Sequence, residues 1–240
     1  MPYLARFATL AALAVTPVSA HAGPFQISFG LNALPSPGGP VQDLSIPTAS
    51  LGQQSFTLGS GPTAVRVTVD DQAQSTGGGV VQGSAPGRYA APVSGPSTTY
   101  AAPYLSAGVG TITLAFAMPE RYLGLLWGSV DYTSGSNGPN RIDFYSGATQ
   151  VGFVTGDDVR AVTGTAAANG SQGYGGSFYT LINDTQGTFD RAVLSSGTVS
   201  FEAAQLQVAG RNVGVPEPVS LALVGSGLAL MGLIRLRIKR

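Results

Sequence analysis

Two adjacent carboxylate pairs, Asp70-Asp71 and Asp157-Asp158, are the first residues whose type and spacing could do chemistry. Two carboxyls can divide the work of glycoside hydrolysis, or hold a hard cation through oxygen. Hydrolysis needs the two set across a cleft, with one of them desolvated. Neighbouring residues on a strand point to opposite faces, so neither pair meets that need by itself. Asp157-Asp158, in "TGDDVR", reads as a solvated turn, and Asp70-Asp71 as a strand end.

A second group lies in and after "YLGLLWGSVD". Trp127, the only tryptophan, shares the strand parity of Leu123 and Leu125. That parity makes it a core residue; the functional alternative is a flat platform for a sugar ring. Asp131 has the same parity if the strand runs straight. With Asn140 and Asp143 it could gather oxygens at one sheet end for a polar ligand or Ca2+. Tyr89 and Tyr100 sit in a long Pro/Gly-rich stretch and could belong to a ligand-facing lid. The candidate ligand-binding residues are therefore Trp127, Asp131, Asn140, Asp143, Tyr89 and Tyr100.

Other chemistries lack their residues. The chain has no cysteine, and its one histidine is His21. The opening "MPYLARFATLAALAVTPVSAHA" places Arg6 before an apolar stretch and closes on Ala20-His21-Ala22. Small residues at −3 and −1 behind an apolar region describe a secretory signal peptide, residues 1–22, cut to leave Gly23 at the mature N-terminus. An uncleaved N-terminal anchor is the alternative. The partners implied are the Sec translocon and signal peptidase. Cleavage would carry His21 away, leaving no imidazole and no thiol. Histidine-assisted serine and cysteine nucleophiles, and zinc sites of His or Cys, are then excluded. The glycine triplet Gly77–Gly79 has no lysine beside it, so it is not a phosphate loop. No catalytic residue and no metal ligand is assigned, and Ca2+ is the one cofactor kept as a candidate.

The elements that must position these residues read as β. Short runs of alternating polarity are separated by Gly, Pro, Ser and Asn: "FQISF", "AVRVTVD", "TITLAFAM", "YLGLLW", "RIDFY", "QVGFV", "SFYTLI", "FDRAVL" and "VSFEAAQLQV". The alternation turns Ile112, Leu114, Phe116 and Met118 inward in "TITLAFAM". In the last run the inward parity switches between Ala203 and Ala204, which implies a β-bulge or a break. No stretch holds a helical apolar period over three turns. The expected fold is all-β: a single antiparallel β-sandwich, jelly-roll-like, over residues 23–213. Residues 72–103 form a long Pro/Gly-rich loop that cannot order itself independently; it is a surface excursion or the lid just named. The sequons at Asn169 and Asn183 mark exposed loops.

The chain closes on "VPEPVSLALVGSGLALMGLIRLRIKR". Residues 219–234 carry no charge. As a helix they would reach ~24 Å, short of a ~30 Å hydrocarbon core, with Leu236 and Ile238 able to extend the span. Residues 235–240 are a basic tail, which belongs on the cytoplasmic side. A plain transmembrane anchor explains all of this except Pro216-Glu217-Pro218. From Gly23 to Val215 seven arginines face eleven carboxylates, a net charge of −4. A mildly acidic body with no basic stripe argues against nucleic acid as a partner.

The triplet, one apolar helix and a basic end, over residues 214–240, resemble the PEP-CTERM sorting signal of Gram-negative bacteria. The resemblance implies recognition by an exosortase, a membrane transpeptidase that removes the tail near the motif. It also implies export across the inner membrane, with a link to exopolysaccharide and biofilm matrix. The body is similar to one family of exosortase-dependent surface proteins with a "WGSvD" core. The likeness lies in "YLGLLWGSVD" and "RIDFYSG", with the closing "TFDRAVLSSGTVSFEAAQLQV". Two departures stand out: "TSGSNGP" is inserted before Asn140, and Glu202-Ala203-Ala204-Gln205 replaces an acidic-Asn ending. The second removes a carboxylate that in comparable jelly rolls could help hold a cation.

The resulting expectation is an exported surface or extracellular-matrix structural protein without catalytic activity, anchored in the membrane before processing. The alternatives are a carbohydrate-binding jelly-roll module, with exopolysaccharide as its partner, and a polysaccharide-active enzyme.

Overall fold

The nine alternating runs all form strands, and shorter strands complete two sheets. The computed structural model describes residues 20–22, 24–30, 33–34, 41–94, 98–132, 140–164, 176–197 and 200–209. Most of the signal segment, and Pro216, Glu217 and Pro218 with the rest of the sorting segment, lie outside them, as do Gly23 and Asn169. In chain order the elements are β1 (Ala20–Ala22), β2 (Phe25–Gly30), β3 (Gln42–Leu44), β4 (Ser55–Leu58), β5 (Val65–Val69), α1 (Asp71–Ser75), β6 (Gly79–Val81), β7 (Val93–Ser94) and β8 (Thr98–Thr99). There follow β9 (Tyr104–Ser106), β10 (Thr111–Glu120), β11 (Tyr122–Trp127), β12 (Arg141–Ser146), β13 (Thr149–Thr155), α2 (Gly156–Thr163), β14 (Phe178–Asp184), β15 (Phe189–Ser195) and β16 (Glu202–Ala209).

The larger sheet runs β1-β2-β14-β11-β16-β9-β6, with β3 also on β16; the smaller runs β13-β12-β15-β10-β5-β4. Their pairings are antiparallel throughout. Inward residues of both sheets meet in one apolar core, which gives a sandwich-like, all-β architecture. Phe144 lies 4.5 Å from Phe25 and 4.7 Å from Phe189, ring centre to ring centre. Strand alternation holds well in β5, where Val65, Val67 and Val69 are buried while Arg66 and Thr68 are exposed.

It fails at Met118, which is 53% exposed. The register of β10 on β15 breaks between Ala115 and Glu120, and β10 overhangs there before the chain crosses to the other sheet at Arg121. The residue expected in the core therefore stands at the rim. The parity switch in β16 is a bulge, one of the two expected forms, but it falls at Gln205-Leu206: Ala203 faces the core while Ala204, expected inward, belongs to the outer cluster. Gly124 pairs with Gln207 and Leu126 with Ala204, so Gln205 and Leu206 together stand against Leu125.

Residues 72–103 are no free excursion. They supply most of α1, with β6, β7 and β8, and cover the outer face of the larger sheet. Ala91, Tyr104, Leu126, Tyr179 and Ala204 form a second apolar cluster, with Val81, Tyr89 and Tyr100 packed on it. Polar ties hold the cover down: Tyr104 donates its hydroxyl to Gly83 O at 2.5 Å, and Val93 N donates to Ser177 Oγ at 2.9 Å. Its composition gives this stretch little apolar surface of its own. It orders against apolar surface that the sheet supplies, so all six residues of β11 are buried.

At the N-terminal edge, Ala22 pairs with Phe25 and Ala20 with Ile27. Cleavage after Ala22 would therefore remove β1 from the sheet.

Candidate functional site

The residues singled out from "WGSVD" meet where β11 leaves the larger sheet. Gly128 N donates to Glu202 O at 2.6 Å, and a Cβ at Gly128 would fall 2.4 Å from Glu202 Cβ. Only glycine lets the chain turn this closely over the start of β16. The turn seats Val130 in the core and brings Asp131 under cover, 2% exposed. Asn140, fully buried, closes the corner. Its Oδ1 accepts from Trp127 Nε1 at 3.3 Å and from Asp131 N at 3.0 Å. Asn140 N donates to Asp131 O at 3.1 Å, and Gly156 N donates to Asn140 O at 2.9 Å. Asn140 Nδ2 lies beside the Asp131 carboxyl but makes no bond of good geometry.

Trp127 is a core residue. Its ring is fully buried and stacked on Phe201, 4.5 Å between centres and 15° between planes. No face is left for a sugar, which corrects the platform reading. Asp143 also parts from the group. It projects from β12 on the parity opposite to Ile142 and Phe144 and is paired with Arg141 at 2.6 Å, with Gln150 Nε2 donating at 2.5 Å. Asp131, Asn140 and Asp143 thus do not converge. Among the described residues no three Asp, Glu, His or Cys side chains gather in a metal-holding group. Asn140 Oδ1, the amide oxygen a cation would need, is already committed twice.

The carboxylate that does approach Asp131 is Glu202, from the closing strand and not among the candidate residues. Ser129 Oγ lies 3.4 Å from Asp131 Oδ2 and 3.5 Å from Glu202 Oε2. One hydroxyl carries one hydrogen, so it cannot donate to both. A proton on Glu202 resolves this: Glu202 donates to Ser129, and Ser129 donates to Asp131. Burial pushes Glu202 up to about 8, with the Asp131 charge adding to the rise and the Ala90 N–H and Ser200 opposing it. Burial likewise raises Asp131 to about 6, against the lowering effect of Ser129 and Asn140. Glu202 is therefore the protonated member and Asp131 the ionised one at neutral pH. Ala90 N donates to Glu202 Oε1 at 3.1 Å, so the covering segment seals the pair.

No family model, no curated protein and no solved structure matches the chain.

The adjacent carboxylates have local roles. Asp70 caps α1: Oδ1 accepts from Ala73 N at 2.6 Å, while Oδ2 accepts from Thr111 N at 2.9 Å and Thr111 Oγ1 at 2.7 Å. Asp157-Asp158 open a helix rather than a turn. Thr155 and Asp158 form a reciprocal capping box, with Thr155 N donating to Asp158 Oδ2 at 2.8 Å. Both helices begin where a Thr or Asp stands three residues before a backbone or side-chain partner, a cue legible in "DDQA" and "TGDD". Tyr89 packs edge-on to Tyr104 at 6.4 Å as part of the cover. Tyr100 lines a cleft on the larger sheet, away from the Asp131 corner. Asn183 is buried in β14, 6% exposed, and so is not in an exposed loop.

Proposed function

We propose that this chain is a PEP-CTERM protein: an exported, non-catalytic structural component of the cell surface or extracellular matrix. In this reading its jelly-roll-like body is delivered by the signal segment and released or displayed when an exosortase trims the tail near Pro216-Glu217-Pro218. The observation that carries it is the sequence at the two ends, an export segment and a Pro-Glu-Pro, apolar, basic tail, flanking an antiparallel β body. The acidic side chains support the non-catalytic part. Asp70 and Asp158 cap helices, Asp143 is held by Arg141, and Asp131 and Glu202 lie under the segment that holds Ala90.

The test is intact-mass measurement of the protein from a host with and without its exosortase, combined with cell fractionation. The expected result is a surface or medium species lacking residues 1–22 and those after about Pro218, formed only with the exosortase. A full-length tail in both hosts would overturn the sorting assignment and leave a plain anchor.

A further inference from the structure

The bulge in β16 does more than restore strand parity. Gln205 has a φ of +49°, the only positive value at a non-glycine among the described residues. A residue with a Cβ reaches this left-handed region at a steric cost. Glycine would remove that cost, and bulges of this kind often carry it. Here the position holds a long amide instead, and that amide is exposed. Strained backbone that re-aims a polar side chain is a mark of a binding site.

That side chain stands at the wall of an open cleft of about 570 Å³, inside the range of roughly 300–1,000 Å³ for small-ligand sites. Tyr100 and Tyr179 line it with Gln205, Gln207, Asp43 and Ser45. The Gln207 carboxamide is hydrogen-bonded to the Asp43 carboxylate, and Tyr122 Oη donates to Gln207 Oε1 at 3.5 Å, so these groups are fixed before any ligand arrives. Planar amides and a carboxylate set side by side offer the paired donors and acceptors that neighbouring sugar hydroxyls need. Tyr100, half-buried against the second apolar cluster, brings an aromatic side chain to the cleft, the residue type that packs on a pyranose C–H surface. No lysine or arginine lines the cleft among the described residues, and its one charge is negative. Phosphate, sulfate and uronate groups would find no counter-charge there.

We infer that this cleft, organised by the Gln205 bulge and walled by Tyr100, binds a neutral oligosaccharide. The inference rests on the proposed extracellular role, where glycans are the abundant partner, and moves sugar recognition from Trp127 to the rim where the covering segment ends.

The test is titration of the full-length chain with neutral hexaoses of glucan, mannan, galactan and xylan type and, in parallel, an alginate hexamer. At least one neutral hexaose should bind at sub-millimolar concentration and alginate should not. Tyr100→Ala should weaken binding tenfold or more. Gln205→Gly should weaken it comparably while raising the melting temperature, a combination that misfolding cannot produce. Absence of neutral-sugar binding at millimolar concentration, binding untouched by both variants, or alginate binding as tight as the neutral sugars would each overturn the inference. Binding is read on purified protein, so its failure in a correctly trimmed chain counts against this site alone. Sugar binding by a chain that is never trimmed counts against the sorting assignment alone.

Discussion

Replacing Glu202 with Gln should make the protein more stable at alkaline pH and almost no different at pH 4. Glu202 is 2% exposed and its carboxyl titrates at about 8 instead of its ordinary 4.5. Below pH 4.5 the group is protonated folded and unfolded, and costs nothing. Between 4.5 and about 8 the unfolded chain releases its proton while the folded chain keeps it, so the unfolded state gains and stability falls as pH rises. At about 1.4 kcal/mol per pH unit, the gap is worth on the order of 5 kcal/mol once pH exceeds about 8. A glutamine keeps the oxygen that accepts from Ala90 N and supplies an N–H toward Ser129, but has no proton to lose.

The assay is urea unfolding at intervals from pH 4 to 9, followed by fluorescence of Trp127, a single buried reporter stacked on Phe201. Asp131 and Glu120 are also raised by burial, to about 6 and about 7. Both add their own fall in stability with pH and remain in the variant, so the quantity to read is wild type minus variant. The difference should be near zero at pH 4 and grow through pH 5–8. Parallel pH profiles would refute the assignment of Glu202 as the protonated partner. A variant less stable by the same amount at every pH would show that shape, and not the proton, is what the corner needs.

Three further outcomes follow from the same geometry, each measured by chemical denaturation. Asn140→Asp places a second carboxylate against Asp131 in a fully buried position; it should cost about 3–5 kcal/mol at pH 8 and recover substantially at pH 4. Gly156→Ala should cost about 3 kcal/mol or more, because its Cβ would fall 1.8 Å from Asp131 O; an unchanged midpoint would mean α2 can slide without the corner. Asp70→Ala removes the α1 cap and both Thr111 bonds, for about 2 kcal/mol, with Asp71→Ala, outside the cap, as the near-neutral control.

Much of the fold was legible because alternation is a strong local signal. β2, β5, β10 to β16 and the β16 bulge all follow from apolar parity. The strands that were missed are short. β1, β3, β4, β6, β7, β8 and β9 hold two to four residues each, too few for a period, and each pairs along a neighbour's edge. Both helices were missed for another reason. They are announced by caps and not by an apolar stripe, and a pair of aspartates invites a chemical reading before a capping one. The site was less legible than the fold. Trp127, Asp131 and Asn140 do meet, but Asp143 alternates to the outer face, and the decisive partner, Glu202, lies 71 positions after Asp131.

The covering segment decides which polar residues are left for function. A Pro/Gly-rich stretch has little apolar surface of its own, so it spreads its few large residues where the sheet is most apolar. Tyr89 packs on Tyr104, and Ala90 closes over Glu202. This shuts the Asp131–Glu202 corner away from ligands and turns its polar groups into a lock between cover and sheet. Tyr100 comes near the end of the same segment, partly buried, where the cover gives way to the cleft. In the same cleft the β16 bulge leaves Gln205 exposed while returning Leu206 and Val208 to the core. Cover and bulge therefore meet at one rim. An amide and a phenol are presented there by two independent devices, and a sugar recognised at that rim would need no motion of the sealed corner beneath.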